Sequence, residues 1–233
     1  MATSPPTEKT EIVEHVVLFN IKDEEEEHHP SKVNDMINGL NALNSLDSVV
    51  YLTAGPILRT RSLPPSLKFT HMLHARYLTR ADLSHYSLHD AHVSVVNSLV
   101  KPLCDDVMAV DWSAQLVGPT IPRPGSGMRF TFFKVEDDDG VEDEKAKETI
   151  FEGLKKIKES LGVYEQKSYG ENFSDRGKGF GVASLAVFPD LNELDASEEY
   201  EDQMRSLINK IKISDDHIIA VDYVVPRLTP VTP

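Results

Sequence analysis

The stretch Asp105-Asp106-Val107-Met108-Ala109-Val110-Asp111-Trp112 is written a second time as Asp215-Asp216-His217-Ile218-Ile219-Ala220-Val221-Asp222-Tyr223. Further upstream, Val16-Val17-Leu18-Phe19-Asn20-Ile21-Lys22-Asp23 has its counterpart in Phe130-Thr131-Phe132-Phe133-Lys134-Val135-Glu136-Asp137. Between them, Thr70-His71-Met72-Leu73-His74-Ala75-Arg76-Tyr77 corresponds to Gly181-Val182-Ala183-Ser184-Leu185-Ala186-Val187-Phe188. The counterparts lie about 110 to about 114 residues apart, so two copies of one unit stand in tandem. A repeat of that length is a small domain. The copies differ in one chemical respect: the first is rich in histidine, and the second retains only His217.

Each copy parses as strand, helix, strand, strand, helix, strand. In copy one the Val- and Phe-rich run His15 to Lys22 is the first strand. The helix from Ser31 to Leu46 follows from Val33, Met36, Ile37, Leu40, Leu43 and Leu46 at helical spacing. Strands at Ser48 to Ala54 and Phe69 to Leu78, a helical stretch after Thr79, and a strand at Val107 to Leu116 complete it. Copy two repeats the order with strands at Arg129 to Glu136, Val163 to Gly170, Gly179 to Phe188 and His217 to Val224. Its helices fall at Glu144 to Leu161 and Ala196 to Lys212.

The segment Gly118 to Gly127 holds three prolines and three glycines, propagates neither helix nor central strand, and marks the boundary. The expected organisation is a tail (1–11), a first domain (12–117), the linker (118–127), a second domain (128–226) and a tail (227–233). A split βαββαβ unit places both helices on one face of a four-stranded antiparallel sheet. The other face stays apolar and needs cover. The fold class expected is therefore α+β: two ferredoxin-like halves meeting sheet to sheet as an intramolecular dimeric α/β barrel.

Composition narrows the function classes. Among 233 residues, 40% are hydrophobic and 27% charged, an ordinary balance for a globular chain. A net charge of −14 argues against nucleic acid, which needs Lys and Arg to neutralise phosphates. The acid is concentrated at Asp23 to Glu27, Asp137 to Glu144 and Glu198 to Asp202, read as solvated faces. The lone Cys104 excludes an internal disulfide and fits a reducing, cytoplasmic compartment. No apolar run is long enough for a membrane helix, and Met1 to Glu11 lacks the pattern of a signal peptide. Glu24 to Glu27 with His28-His29 is read as an acidic loop rather than a metal site, for want of rigid ligand spacing.

The copy-one strand histidines His15 and His71 are expected on the inner face of the sheet, and the second helical region adds Tyr86, His89 and His92. Residues three apart share a helix face, so a phenol and an imidazole can converge on one cavity; a helix restart at Asp90 would alter their directions. Aldol-type ring closure needs a base to remove a proton alpha to a carbonyl and a donor to hold the developing oxyanion. Histidine suits the first role and tyrosine the second, with no metal or cofactor. The plain alternative is that His15 and His71 tie strands together and His89 caps a helix.

The motifs Glu14-His15-Val16-Val17-Leu18-Phe19, Phe69-Thr70-His71 and Tyr86-Ser87-Leu88-His89-Asp90-Ala91-His92 resemble the plant stress-responsive dimeric α/β-barrel family. The resemblance spans essentially the whole chain in two copies, with the motifs confined to copy one. Among its single-domain members is a polyketide cyclase of the aldol type. The resemblance implies His92 as base, Tyr86 as donor partner, and His15, His71 and His89 as substrate-binding residues. The first helix departs from the cyclase, offering Met36 and Ile37 where the cyclase has a pocket tyrosine. Copy two departs further: Arg129, Val182, Ser197, Tyr200 and Gln203 stand opposite His15, His71, Tyr86, His89 and His92. Copy two is thus expected to close the barrel, leaving one site per chain.

Three functions remain open at this level. The first is a lyase or cyclase acting on a poly-β-keto or similar carbonyl substrate. The second is a non-catalytic protein that binds a small hydrophobic or aromatic metabolite or another protein. The third, suggested by the wider superfamily, is a haem-dependent or oxygen-using monooxygenase.

Overall fold

A computed structural model describes residues 9–23, 29–135, 144–160, 166–211 and 213–226. The run Glu24 to His28 lies outside them. Copy one begins with β1 (Lys9–Ile21), α1 (His29–Ala42) and β2 (Tyr51–Pro56). It continues through β3 (Arg59–Ser62), β4 (His71–Tyr77), α2 (Arg80–Leu88) and α3 (Asp90–Val95), then α4 (Lys101–Leu103) and β5 (Cys104–Val117). Copy two runs through β6 (Gly127–Lys134), α5 (Glu144–Ser160), β7 (Gln166–Glu171) and β8 (Phe180–Phe188). It closes with α6 (Leu191–Asp195), α7 (Glu198–Ile211) and β9 (Ile218–Val224).

The strands form two antiparallel sheets, ordered β2-β4-β1-β5 and β3-β9-β6-β8-β7. Their facing sides share one apolar cluster, with Val16, Leu18, Met72, Val110 and Trp112 against Phe130, Phe132, Leu185, Val221 and Tyr223. Two further clusters lie between each sheet and its own helices. The chain therefore carries the barrel's dimer interface within itself. Burying that many large side chains on both sides of each sheet explains why the strands read as continuous apolar runs.

Sequence reading did not anticipate β3. Arg59-Thr60-Arg61-Ser62 has no apolar period, yet it pairs with β9 of the other half, with Arg59 opposite Asp222 and Thr60 opposite Val221. It is a strand because it completes the exposed edge of a neighbouring sheet. Copy two reciprocates: Phe173 N–H donates to the Asp111 carbonyl at 2.9 Å, and Ala109 N–H to the Arg176 carbonyl at 3.2 Å. Each half thus lends a segment to the other.

The close approach of the halves is set by small residues. A Cβ on Gly170 of β7 would stand 2.8 Å from the Ser113 carbonyl and 2.9 Å from the Trp112 ring. Gly55 of β2 lies likewise against Tyr223. Trp112 and Tyr223, matched in the repeat, are each packed on a glycine of the opposite half.

Candidate active site

Strand parity decides which side chains enter which layer. On β1, Glu14, Val16 and Leu18 point between the sheets, while Val13, His15, Val17 and Phe19 point to the helices. His15 therefore belongs to the sheet–helix layer and not to the barrel interior. Because Val16 and Val17 are both apolar, the sequence alternation carried no sign of this. Directly across from His15 on β5 stands Asp111, whose Oδ1 lies 2.5 Å from the His15 Nδ1. A carboxylate accepts, so Nδ1 carries the hydrogen and the Nε2 lone pair is left to face other partners.

Helix α2 is started by Thr79, whose Oγ1 accepts from the Asp82 N–H at 3.1 Å. Seven residues on, it lays Tyr86 into the layer, 1% exposed. The Tyr86 ring centroid lies 6.2 Å from His15, 5.3 Å from Tyr77 and 4.5 Å from His92. The helix breaks at His89, whose backbone is extended, and resumes at Asp90. His89, rather than Asp90, is the cap of α3, accepting from the Ala91 N–H through Nδ1 at 3.1 Å. The break turns α3 so that His92 folds back over Tyr86, and its Nδ1 donates to the Ser87 carbonyl at 2.9 Å. That bond fixes the tautomer, because a carbonyl can only accept. The His92 Nε2 is left as the basic nitrogen.

Electrostatics separate the two groups. Burial pushes the Tyr86 phenol well above its usual range, so it stays protonated. Burial, with lesser contributions from His15, Arg176 and His89, pushes His92 below the usual 6.5 against the opposing Ser87 bond. At neutral pH the pair is therefore a neutral imidazole beside a protonated phenol.

The structure gathers His15, Tyr86 and His92, and adds Tyr77 and Asp111, which sequence reading passed over. It does not bring in the other two. His71 lies opposite Phe19 at the far end of β4, its Nδ1 3.0 Å from Thr70 Oγ1. His15 lies opposite Ala75, four positions from His71, or about 13 Å along the strand. His89 is exposed and occupied in capping.

A second buried polar group, also unforeseen, lies between the sheets. Glu14 takes His74 Nε2 at 2.6 Å, Arg76 Nε at 3.0 Å and, from copy two, Ser168 Oγ at 2.8 Å. Burial would raise the Glu14 carboxyl, but Arg76 and His74 outweigh it and hold it at about 2. This cluster ties the halves together. Cys104, half-buried, has its thiol pushed up to about 11 by burial, which keeps it a thiol rather than a thiolate.

Outside the ring cluster is an open cleft of about 670 Å³, walled by α2 and residues 173–176 of copy two. Its lining includes Ser87 and Asp111, the two anchors of the imidazoles, but neither Tyr86 nor His92. The matching place in copy two is a cleft of about 620 Å³ lined by Arg129, Tyr200, Glu201 and, from β3, Arg61. There Arg129 pairs with Asp222, as His15 pairs with Asp111. Among the described residues no cluster of His, Cys, Asp or Glu is arranged to hold a metal ion, and no helix is long and apolar enough to cross a membrane.

The fold and the shared core define the chain as a dimeric α/β barrel contained in one polypeptide. The Stress responsive A/B Barrel Domain family matches residues 13–114. A stress-response A/B barrel domain-containing protein of Arabidopsis thaliana is 41% identical over 96% of this chain and 82% of its own. A second protein of that description from the same plant is 38% identical over 92% of this chain and 97% of its own. The chain belongs to the stress-response A/B barrel domain family. Among solved structures, a monooxygenase candidate from Fusobacterium nucleatum superposes with a TM-score of 0.58 at 13% identity, covering 94% of both chains. An anthrone oxidase-like protein gives 0.55 at 8% identity, covering 94% of this chain and 92% of its own. At such identities the likeness is one of fold.

Proposed function

We propose that this stress-response barrel protein is a lyase or cyclase acting on a poly-β-keto or related carbonyl substrate at the copy-one site. The observation that carries the reading is the Tyr86–His92 pair: a protonated phenol 4.5 Å, ring to ring, from a neutral imidazole whose tautomer is fixed by Ser87. His92 Nε2 takes the proton alpha to the carbonyl, and the Tyr86 hydroxyl donates to the enolate or alkoxide that develops. Attack of the enolate carbon on a second carbonyl then forms the ring bond, and the proton on His92 goes to the new alkoxide. His15, held by Asp111, supports the tyrosines from beneath. The chemistry needs no electron acceptor.

A second reading has its own observation. Tyr86 is almost fully buried and lies behind the cleft wall rather than on it, which favours a site that binds a small hydrophobic or aromatic metabolite without transforming it. A panel of poly-β-keto thioesters, followed by absorbance of the ring product, separates the two. Turnover by the native protein, abolished in Tyr86→Phe and His92→Gln, supports catalysis. Ligand-induced stabilisation with no turnover supports binding alone.

A further inference from the structure

The copy-one cleft is not built by copy one alone. Its far wall is the segment after β7, and that segment is stitched down at several points. The backbone bonds from Phe173 N–H to Asp111 and from Ala109 N–H of β5 to Arg176 are joined by Asp111 N–H to Asn172 Oδ1 at 2.9 Å, and by Ser174 N–H to the same oxygen at 2.9 Å. A wall tied to the strand that carries Asp111 has a fixed place relative to the ring cluster.

Two guanidinium groups line the cleft, one from each half. Arg80 opens α2 and stacks over the Phe173 ring at 3.9 Å, with Nε 3.4 Å from Ser113 Oγ. Arg176 comes from copy two and lies near enough to His92 to disfavour its cation. Among the described residues neither is ion-paired to a carboxylate, in a chain whose net charge is −14. Of the two acids on the cleft, Asp111 is taken by His15, and Asp175 is an exposed neighbour on the same loop. The rest of the lining mixes Ser84, Ser87 and Ser174 with an apolar part. Leu83 and the Phe173 ring form that part, and Leu88 at the lip is 78% exposed. Arginine is suited to planar oxyanions because its fork bonds both oxygens of a carboxylate.

We infer that the two halves build this site jointly: Arg176 of copy two and Arg80 of copy one bind the carboxylate of an aromatic or acyl-chain acid whose apolar body lies against Leu83, Leu88 and Phe173. The inference rests on the reading that the copy-one cleft takes a small molecule, and it names the class. A cleft of about 670 Å³ is in the range that holds such a ligand. Copy two then supplies specificity as well as barrel closure.

The test uses the full chain and a matched pair of probes, 1-hydroxy-2-naphthoic acid and its methyl ester, titrated by fluorescence. The native protein should bind the acid at least about 10-fold more tightly than the ester, the scale of one charge-assisted hydrogen bond. Arg176→Gln and Arg80→Gln should each remove most of that preference, leave ester affinity unchanged and leave the melting temperature within about a degree or two, as both side chains are exposed. Equal binding of acid and ester, no binding of either, or a preference untouched in both variants would overturn the inference. The catalytic reading fails separately: acid selectivity that depends on Arg176, without turnover of any carbonyl substrate, leaves this inference standing and removes that one. Turnover that depends on His92 without acid selectivity does the reverse.

Discussion

His15 donates its Nδ1 hydrogen to Asp111 at 2.5 Å across directly opposed positions of β1 and β5, and Arg129 and Asp222 stand in the same relation on β6 and β9. The repeat has kept the acid in both copies and changed its partner. In copy two the partner is a permanent cation, so the pair is a buried ion pair. In copy one it is an imidazole, whose ring lies 6.2 Å from both Tyr77 and Tyr86.

The His15–Asp111 bond should be measurable as a coupling. Asp111→Ala leaves a buried imidazole N–H without its acceptor and should cost about 1–3 kcal/mol in urea unfolding. The double variant with His15→Ala should cost less than the sum of the singles by at least about 0.5 kcal/mol. Strict additivity would show that the contact has no energetic content.

The buried Glu14 gives the fold an acid limit. Its carboxyl is held at about 2 in the fold against an ordinary 4.5, so the stabilisation is complete above 4.5 and is lost as pH falls toward 2. The amount at stake is about 3 kcal/mol. Glu14→Gln should flatten that part of the stability profile. At neutral pH it should destabilise by about 3–5 kcal/mol, because Arg76 is left buried without its counter-charge. An unchanged acid profile in Glu14→Gln would assign the acid limit to other groups.

Gly170→Ala should destabilise by about 1–3 kcal/mol through overpacking, since the added methyl meets backbone as well as the Trp112 ring. Gly55→Ala, where the nearest atom is the Tyr223 hydroxyl oxygen at 3.4 Å, should cost less. Thermal melts of the two variants side by side check the order.

The lowered pKa of His92 fixes the sign of any pH–rate dependence. A histidine acts as a base in its neutral form, so with His92 in that proposed role kcat/KM should be flat at neutral pH and fall as pH drops through a value below 6.5. The raised Tyr86 phenol keeps the donor protonated, so no alkaline decline from this group should begin before about pH 10. Folded stability follows the same direction: the neutral imidazole is favoured in the fold, and this contribution declines as pH falls through 6.5. A rate that rises on acidification would exclude His92 as the base.

Much of this molecule could be read from the chain because the fold is repeated. Val110-Asp111-Trp112 and Val221-Asp222-Tyr223 placed matching final strands, and the apolar runs on both sides of each strand implied a covered sheet. The same runs hid the facing of His15, since Val16 and Val17 fit either layer. β3 escaped because Arg59 to Ser62 becomes a strand only beside β9. Glu14, Arg76 and Asp111 left a trace, as charged residues inside apolar strands, one of them repeated in both copies. Arg176 left none, because its place on the cleft depends on how copy two folds back across β5. The turn of His92 onto Tyr86 depended on a break at His89 that spacing alone could not orient.

The most direct test of a copy-one base compares turnover and ligand binding in His92→Ala and Gln203→Ala, positions matched by the sequence repeat. His92→Ala should keep its melting temperature and lose about 10²–10⁴-fold in rate, the contribution of a positioned general base. Gln203→Ala should be nearly indistinguishable from the native protein. Equal losses from both substitutions, or unfolding caused by His92→Ala alone, would show that the copy-one imidazole supports the core and does not act as a base.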